Sequence, residues 1–169
     1  IGFVFQDYNI IDSYTVYQNV AMALTLQGYS KKEKHKKVIE LIDRVGLTKQ
    51  IKQKAIKLSG GEKQRTVIAR TLAKDCPILV CDEPTGNLDK ESSRKILELL
   101  HNIGKDKLVI VVTHDFDAIK EFASRKIRLY DGEVVEDTTL KKTSTEIATI
   151  VEHKEYNTKF LDILKISLN

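Results

Sequence analysis

Three short clusters in this chain hold residue types that suit phosphate chemistry. Leu58-Ser59-Gly60-Gly61-Glu62-Lys63-Gln64-Arg65 places a hydroxyl and two glycines ahead of a helical pattern. Glycines let another backbone or a ligand come close, and the free N–H groups of a helix start favour an anion. Ile78-Leu79-Val80-Cys81-Asp82-Glu83 is an apolar strand that delivers two adjacent carboxylates at its C-terminal end. In open α/β sheets that edge is where ligands bind. Successive strand residues point to opposite faces, so the carboxylates can divide the work. Asp82 suits the oxygen shell of Mg²⁺, and Glu83 suits activation of an attacking water. Val111-Val112-Thr113-His114 ends a second apolar strand with a histidine, which can donate to a phosphate or orient a water. Taken singly, each cluster also has an ordinary reading: a glycine-containing helix start, a solvated strand end, a structural histidine.

The elements that must carry these clusters follow from spacing. Ile1 to Phe5 is a short apolar run that reads as a buried strand. Val16 to Gln27 has helical periodicity, with Thr15 as its cap and Gly28 placed to end it. Ser30 and Glu33 form a capping box that opens a helix to Val45, and Ser59 and Glu62 form another for a helix to Lys74. Pro77 to Cys81 is the strand before the carboxylates, and Asp89 caps a helix to about Ile103. Leu108 to Val112 is apolar on both faces and reads as a central strand of a parallel sheet. Asp115 opens a short helix to about Ala123, and Asp131-Gly132 is a two-residue hairpin signal. Alternating strands and helices predict an α/β fold, a parallel sheet flanked by helices with an inserted helical subdomain and a C-terminal β-hairpin.

Composition narrows the class. Apolar residues make up 41% and charged residues 31%, as in globular domains, and no run approaches the roughly 18 apolar residues of a membrane span. The net charge of +4 is mild. Lys31, Lys32, Lys34, Lys36 and Lys37 cluster, but they read as a solvated helix face, and no nucleic-acid partner is expected. Cys76 and Cys81 fit neither a disulfide framework nor a zinc site.

Together these residues resemble the ABC ATPase family. LSGGEKQR is similar to its signature motif, ILVCDEP to its Walker B strand, and Thr85-Gly86-Asn87-Leu88-Asp89 to its D-loop; Gln6 resembles the Q-loop glutamine and His114 the switch histidine. The resemblance implies ATP and Mg²⁺ as ligands and a head-to-tail dimer with a second ATP-binding domain. Ser59, Gly60, Gly61 and Gln64 would face the nucleotide of the opposite subunit. Glu83 would be the general base, His114 the γ-phosphate sensor, and Asp82 the metal carboxylate. Gln6 would touch both metal and water, and Asp89 would pair across the dimer. On this reading residues 1–6 and 58–136 form the ATPase core, and residues 7–57 a helical subdomain with the Q-loop. Residues 137–155 read as a linker, and 156–169 as an amphipathic helix leading to a transmembrane permease.

One departure stands out. None of the eight glycines begins a Gly-Lys-Ser/Thr, so the P-loop G-x-x-x-x-G-K-[ST] is missing. We read this as truncation, with the P-loop expected upstream of Ile1; a degenerate ATPase is the other reading. DEPTGNLD and THD resemble the MacB/LolD branch, which implies an export or lipoprotein-release ATPase at the cytoplasmic face of the cell membrane, with a permease that is separate or fused C-terminally. A soluble ABC ATPase acting on ribosomes or DNA is the alternative.

Overall fold

The computed structural model describes residues 1–141, so the expected helix over 156–169 and most of the 137–155 linker lie outside the described residues. The chain divides into two compact units, Ile1–Ala123 and one beginning at Ser124.

In the first unit β1 (Gly2–Val4), β2 (Ile78–Asp82) and β3 (Leu108–Val112) form a parallel sheet in the order β1-β2-β3. The register places Val4 beside Cys81 and Cys81 beside Val111, so one row of each strand shares a face. On that face Val4, Leu79 and Cys81 are buried, with Val109 and Val111 packed against the same core. The helices α3 (Gly60–Leu72) and α4 (Lys90–Ile103) cover it, meeting β1 and β3 respectively. Phe3, Leu108, Ile110 and Val112 lie on the opposite face and are exposed. This corrects the expectation for Leu108–Val112. Both of its faces are apolar, yet it is an edge strand of the described sheet, and β2 is central.

The segment between β1 and α3 is helical, built on α1 (Val16–Thr25) and α2 (Lys31–Arg44), followed by 3₁₀ turns at Thr48–Gln50 and Ala55–Lys57. Capping boxes at Thr15/Gln18, Ser30/Glu33 and Ser59/Glu62 start α1, α2 and α3. Each Ser or Thr cap contributes about 0.5–2 kcal/mol, against roughly 0.2–1 for an exposed ion pair. α1 stops at Thr25, two residues short of expectation, and Gly28 takes the left-handed backbone (φ +78°) that ends the turn. Val20, Leu24, Val38, Ile42, Leu47 and Ile68 form the core joining these helices to α3. Each such burial contributes about 1.5–3 kcal/mol, so packing rather than surface charge fixes the arrangement. Asn19, fully buried, accepts from the Ile11 N–H and donates to the Ile11 and Thr15 carbonyls, anchoring the loop before α1.

After β3 comes the short helix α5 (Phe116–Ile119), capped by Asp115 and shorter than its expected extent. The second unit holds the antiparallel hairpin β4 (Arg125–Tyr130) and β5 (Glu133–Thr139). Its turn, Asp131-Gly132, has positive φ at both residues, as a tight hairpin requires. β5 runs on through Thr139, so the polar sequence after Glu136 is paired strand at first rather than linker.

Candidate active site

Glu83 follows β2 directly, and its backbone is left-handed (φ +43°). For a residue with a long side chain such a conformation costs about 1–3 kcal/mol and persists only where the surroundings over-determine it. They do so here. The Glu83 N–H donates to the Val112 carbonyl at 2.9 Å, tying the residue to the end of β3. Its Oε1 accepts from the His114 N–H at 2.8 Å and lies 2.7 Å from His114 Nδ1, while Oε2 accepts from the Thr113 hydroxyl at 3.2 Å. Partial burial pushes the Glu83 carboxyl up, but the hydrogen bonds from His114 and Thr113 together hold it below the usual carboxylate range. The hydrogen bond to Glu83, aided by its charge, raises the pKa of His114. The His114 side chain is 84% exposed and that of Glu83 only 18%, so the pair has one wet member and one sheltered one. With Nδ1 engaged, Nε2 is the nitrogen left for a ligand.

Gln6 belongs to the same place. A methyl group on Gly86 would sit 3.6 Å from both Gln6 Nε2 and the Glu83 Cβ, so the two side chains flank this glycine. Asp82, the last residue of β2, is exposed and makes no ion pair among the described residues. One free carboxylate fits Mg²⁺, which is usually held by one or two protein oxygens, with phosphate and water completing the octahedron. No group of three or more His, Cys, Asp or Glu able to cage an ion occurs among the described residues.

The signature segment is built differently. Ser59 caps α3, accepting from the Glu62 N–H at 3.3 Å, while Glu62 accepts from the Ser59 N–H at 2.9 Å. Ser59 is exposed and Gly60 partly so, whereas Gly61 is buried against Ser92. A side chain on Gly60 would meet the Tyr8 hydroxyl and Leu88 at 3.0 Å, so the glycine is needed for close approach. Gln64 is 1% exposed and its amide finds no partner among the described residues, so it is not presented to a ligand. Asp89 caps α4, accepting from the Ser92 N–H at 2.9 Å, and hydrogen bonds from the Ser92 side chain and backbone hold its carboxyl below the usual range.

Thus Gln6, Asp82, Glu83 and His114 converge at the C-terminal edge of the sheet, while Ser59 to Gly61 open a separate helix start. Sequence reasoning missed three residues. Thr113 stood in the VVTH cluster without a role. Tyr8 and Arg70 carried no signal, because what they touch is a glycine and main-chain carbonyls.

Residues 1–86 match the family model described as ABC transporter. The methionine import ATP-binding protein MetN of Coxiella burnetii is 37% identical over 171 residues, covering 98% of this chain and 49% of that protein. MetN of Clostridioides difficile is 43% identical over 139 residues, 80% of this chain and 43% of its own. The chain therefore spans about half the length of the curated relatives it matches. These names are of import proteins, and they do not single out the MacB/LolD branch that DEPTGNLD resembles. Among solved structures, the dimeric post-hydrolysis state of the ATP-binding cassette MJ0796, bound to ADP and Pi, superposes with a TM-score of 0.70. It is 37% identical, with 84% of this chain and 63% of that one covered. CbiO1 of Clostridium perfringens, part of the ABC transporter complex cbiONQ, gives a TM-score of 0.78 at 29% identity, covering 82% and 57%. With the family model covering more than half of the chain, the chain belongs to the ABC transporter family.

Proposed function

We propose that this chain is the larger part of an ATP-hydrolysing domain that powers an importer from the cytoplasmic face of the membrane. The observation that carries the reading is the convergence of Glu83, His114 and Gln6 at one sheet edge. Glu83, ionised at neutral pH, accepts the proton of the attacking water. His114 keeps Glu83 oriented through Nδ1 and offers Nε2 to the terminal phosphate. Phosphoryl transfer depends chiefly on positioning and charge stabilisation, and these residues supply both. Asp82 and Gln6 would hold Mg²⁺, which neutralises phosphate charge when bound. Ser59, Gly60 and Gly61 close the site of a second copy in a head-to-tail dimer, with Gln64 packed beneath them and Asp89 at the junction. These 169 residues contain no G-x-x-x-x-G-K-[ST], so the reading assigns none of them to the part of the P-loop. A transmembrane permease is the partner, and the relatives' names make methionine the first cargo to test.

In the full-length protein, Glu83→Gln is expected to lower steady-state hydrolysis by about 10²–10⁴-fold while ATP binding persists. Near-normal turnover in that variant would move the base elsewhere, with His114 next. Methionine uptake that is lost with Glu83→Gln supports import; uptake unchanged by it rejects the cargo.

A further inference from the structure

Gln6 is bracketed by bonds to a single helix. Upstream, the Thr71 hydroxyl donates to the Phe3 carbonyl at 3.2 Å. Downstream, the half-buried Arg70 guanidinium donates from Nη1 to the Asn9 carbonyl at 2.8 Å and from Nη2 to the Tyr8 carbonyl at 3.3 Å. Asn9 has a left-handed backbone (φ +45°), so the chain turns sharply where Arg70 grips it. Arg70 and Thr71 lie in the last turn of α3, whose first turn is the signature segment. The Tyr8 side chain reaches the other end of the same helix, its hydroxyl lying against Gly60. The segment after Gln6 therefore touches both ends of α3.

We propose that Arg70 is a positioning residue that makes the Gln6 segment and the signature helix move as one body, so that a nucleotide bound beside Gln6 alters the posture of Ser59–Gly61 within the same chain. A planar guanidinium gripping two carbonyls is stiffer than any single bond, and a flexible ammonium does not reproduce it. Arg70 touches neither carboxylate nor histidine, and its effect passes through main chain and helix. The proposal rests on the reading of Gln6 as a nucleotide-facing residue.

The test uses the full-length protein carrying Glu83→Gln, so that Mg-ATP is bound but not consumed. It is run at a concentration where light scattering reports a monomer, so no second copy covers residues 59–66. Amide hydrogen exchange is measured for residues 5–10 and 59–66, with and without Mg-ATP, alone and with Arg70→Met or Arg70→Lys added. Nucleotide is expected to slow exchange in both segments of the parent. With Arg70→Met the response of 59–66 should fall about five-fold or more while that of 5–10 persists, and Arg70→Lys should fall between. An undiminished response of 59–66 in Arg70→Met overturns the proposal. So does loss of both responses with a lowered melting temperature, which would make Arg70 a residue of the fold alone. A parent that binds Mg-ATP with neither segment responding overturns it as well. A parent that binds no nucleotide rejects the functional reading itself, and the proposal with it.

Discussion

His114 holds one oxygen of Glu83 twice, through its backbone N–H at 2.8 Å and through Nδ1 at 2.7 Å. The charged form of this pair occupies a definite pH window. The pKa of His114 is raised, so its contribution is full below the unfolded histidine value and is lost as pH rises through the folded one. The pKa of Glu83 is lowered, so its contribution is full above the unfolded glutamate value and is lost as pH falls through the folded one. The ion pair therefore persists from below the usual carboxylate range to above the usual histidine range. An NMR titration of His114 should show its pKa fall when Glu83→Gln is introduced. An unmoved titration would mean that His114 and Glu83 are not coupled in solution.

Ser59→Arg in the full-length protein should spare nucleotide binding to the monomer but block the ATP-dependent dimer. The exposed serine stands at a helix start that a long cation would fill. Light scattering on the Glu83→Gln background reads the outcome, and a dimer that still forms would contradict the sandwich arrangement.

Gly2→Ala should destabilise the first unit. A β-carbon there would lie 2.6 Å from both Cys76 Sγ and Thr71 Cγ2, between β1 and α3. Overpacking of this kind costs about 1–3 kcal/mol, visible as a lowered midpoint in urea. Adding Cys76→Ala should recover part of the loss; no recovery would show that the strain is relieved elsewhere.

The 169-residue chain by itself should release no phosphate from Mg-ATP. On the proposed reading Glu83 and His114 address the water and the terminal phosphate, but the sequence contains no G-x-x-x-x-G-K-[ST] loop to hold that phosphate. Turnover that disappears with Glu83→Gln would refute this account of what the P-loop supplies.

Local signals were the most legible part of the sequence. Thr15, Ser30, Ser59 and Asp89 all cap helices as their spacing predicts, because capping involves atoms only three residues apart. The strand-end positions of Glu83 and His114 were legible for a similar reason, since an apolar run stops where the carboxylate or ring begins. Long-range relations were not. Leu108–Val112 is apolar on both faces, but that says nothing of what lies beyond it, and the strand stands at an edge. Gln64 looked available beside the signature glycines, yet helical spacing sets it with Val67, Ile68 and Thr71 on the inward face. Arg70 grips carbonyls 61 and 62 residues away, and a main-chain oxygen leaves no mark in a sequence.

Cys81 is the penultimate residue of the central strand, between Val4 and Val111, and burial pushes its thiol up to about 12. Thiol reagents attack the thiolate, so near neutral pH this sulfur is silent while the sheet stays closed. Cys76 is the chain's other cysteine, and its replacement by alanine leaves one thiol. The alkylation rate of that thiol then becomes a clock for the opening of the sheet, one residue from Asp82 and two from Glu83. Run with and without nucleotide, the clock measures how firmly ligand binding locks the strand that carries the two carboxylates.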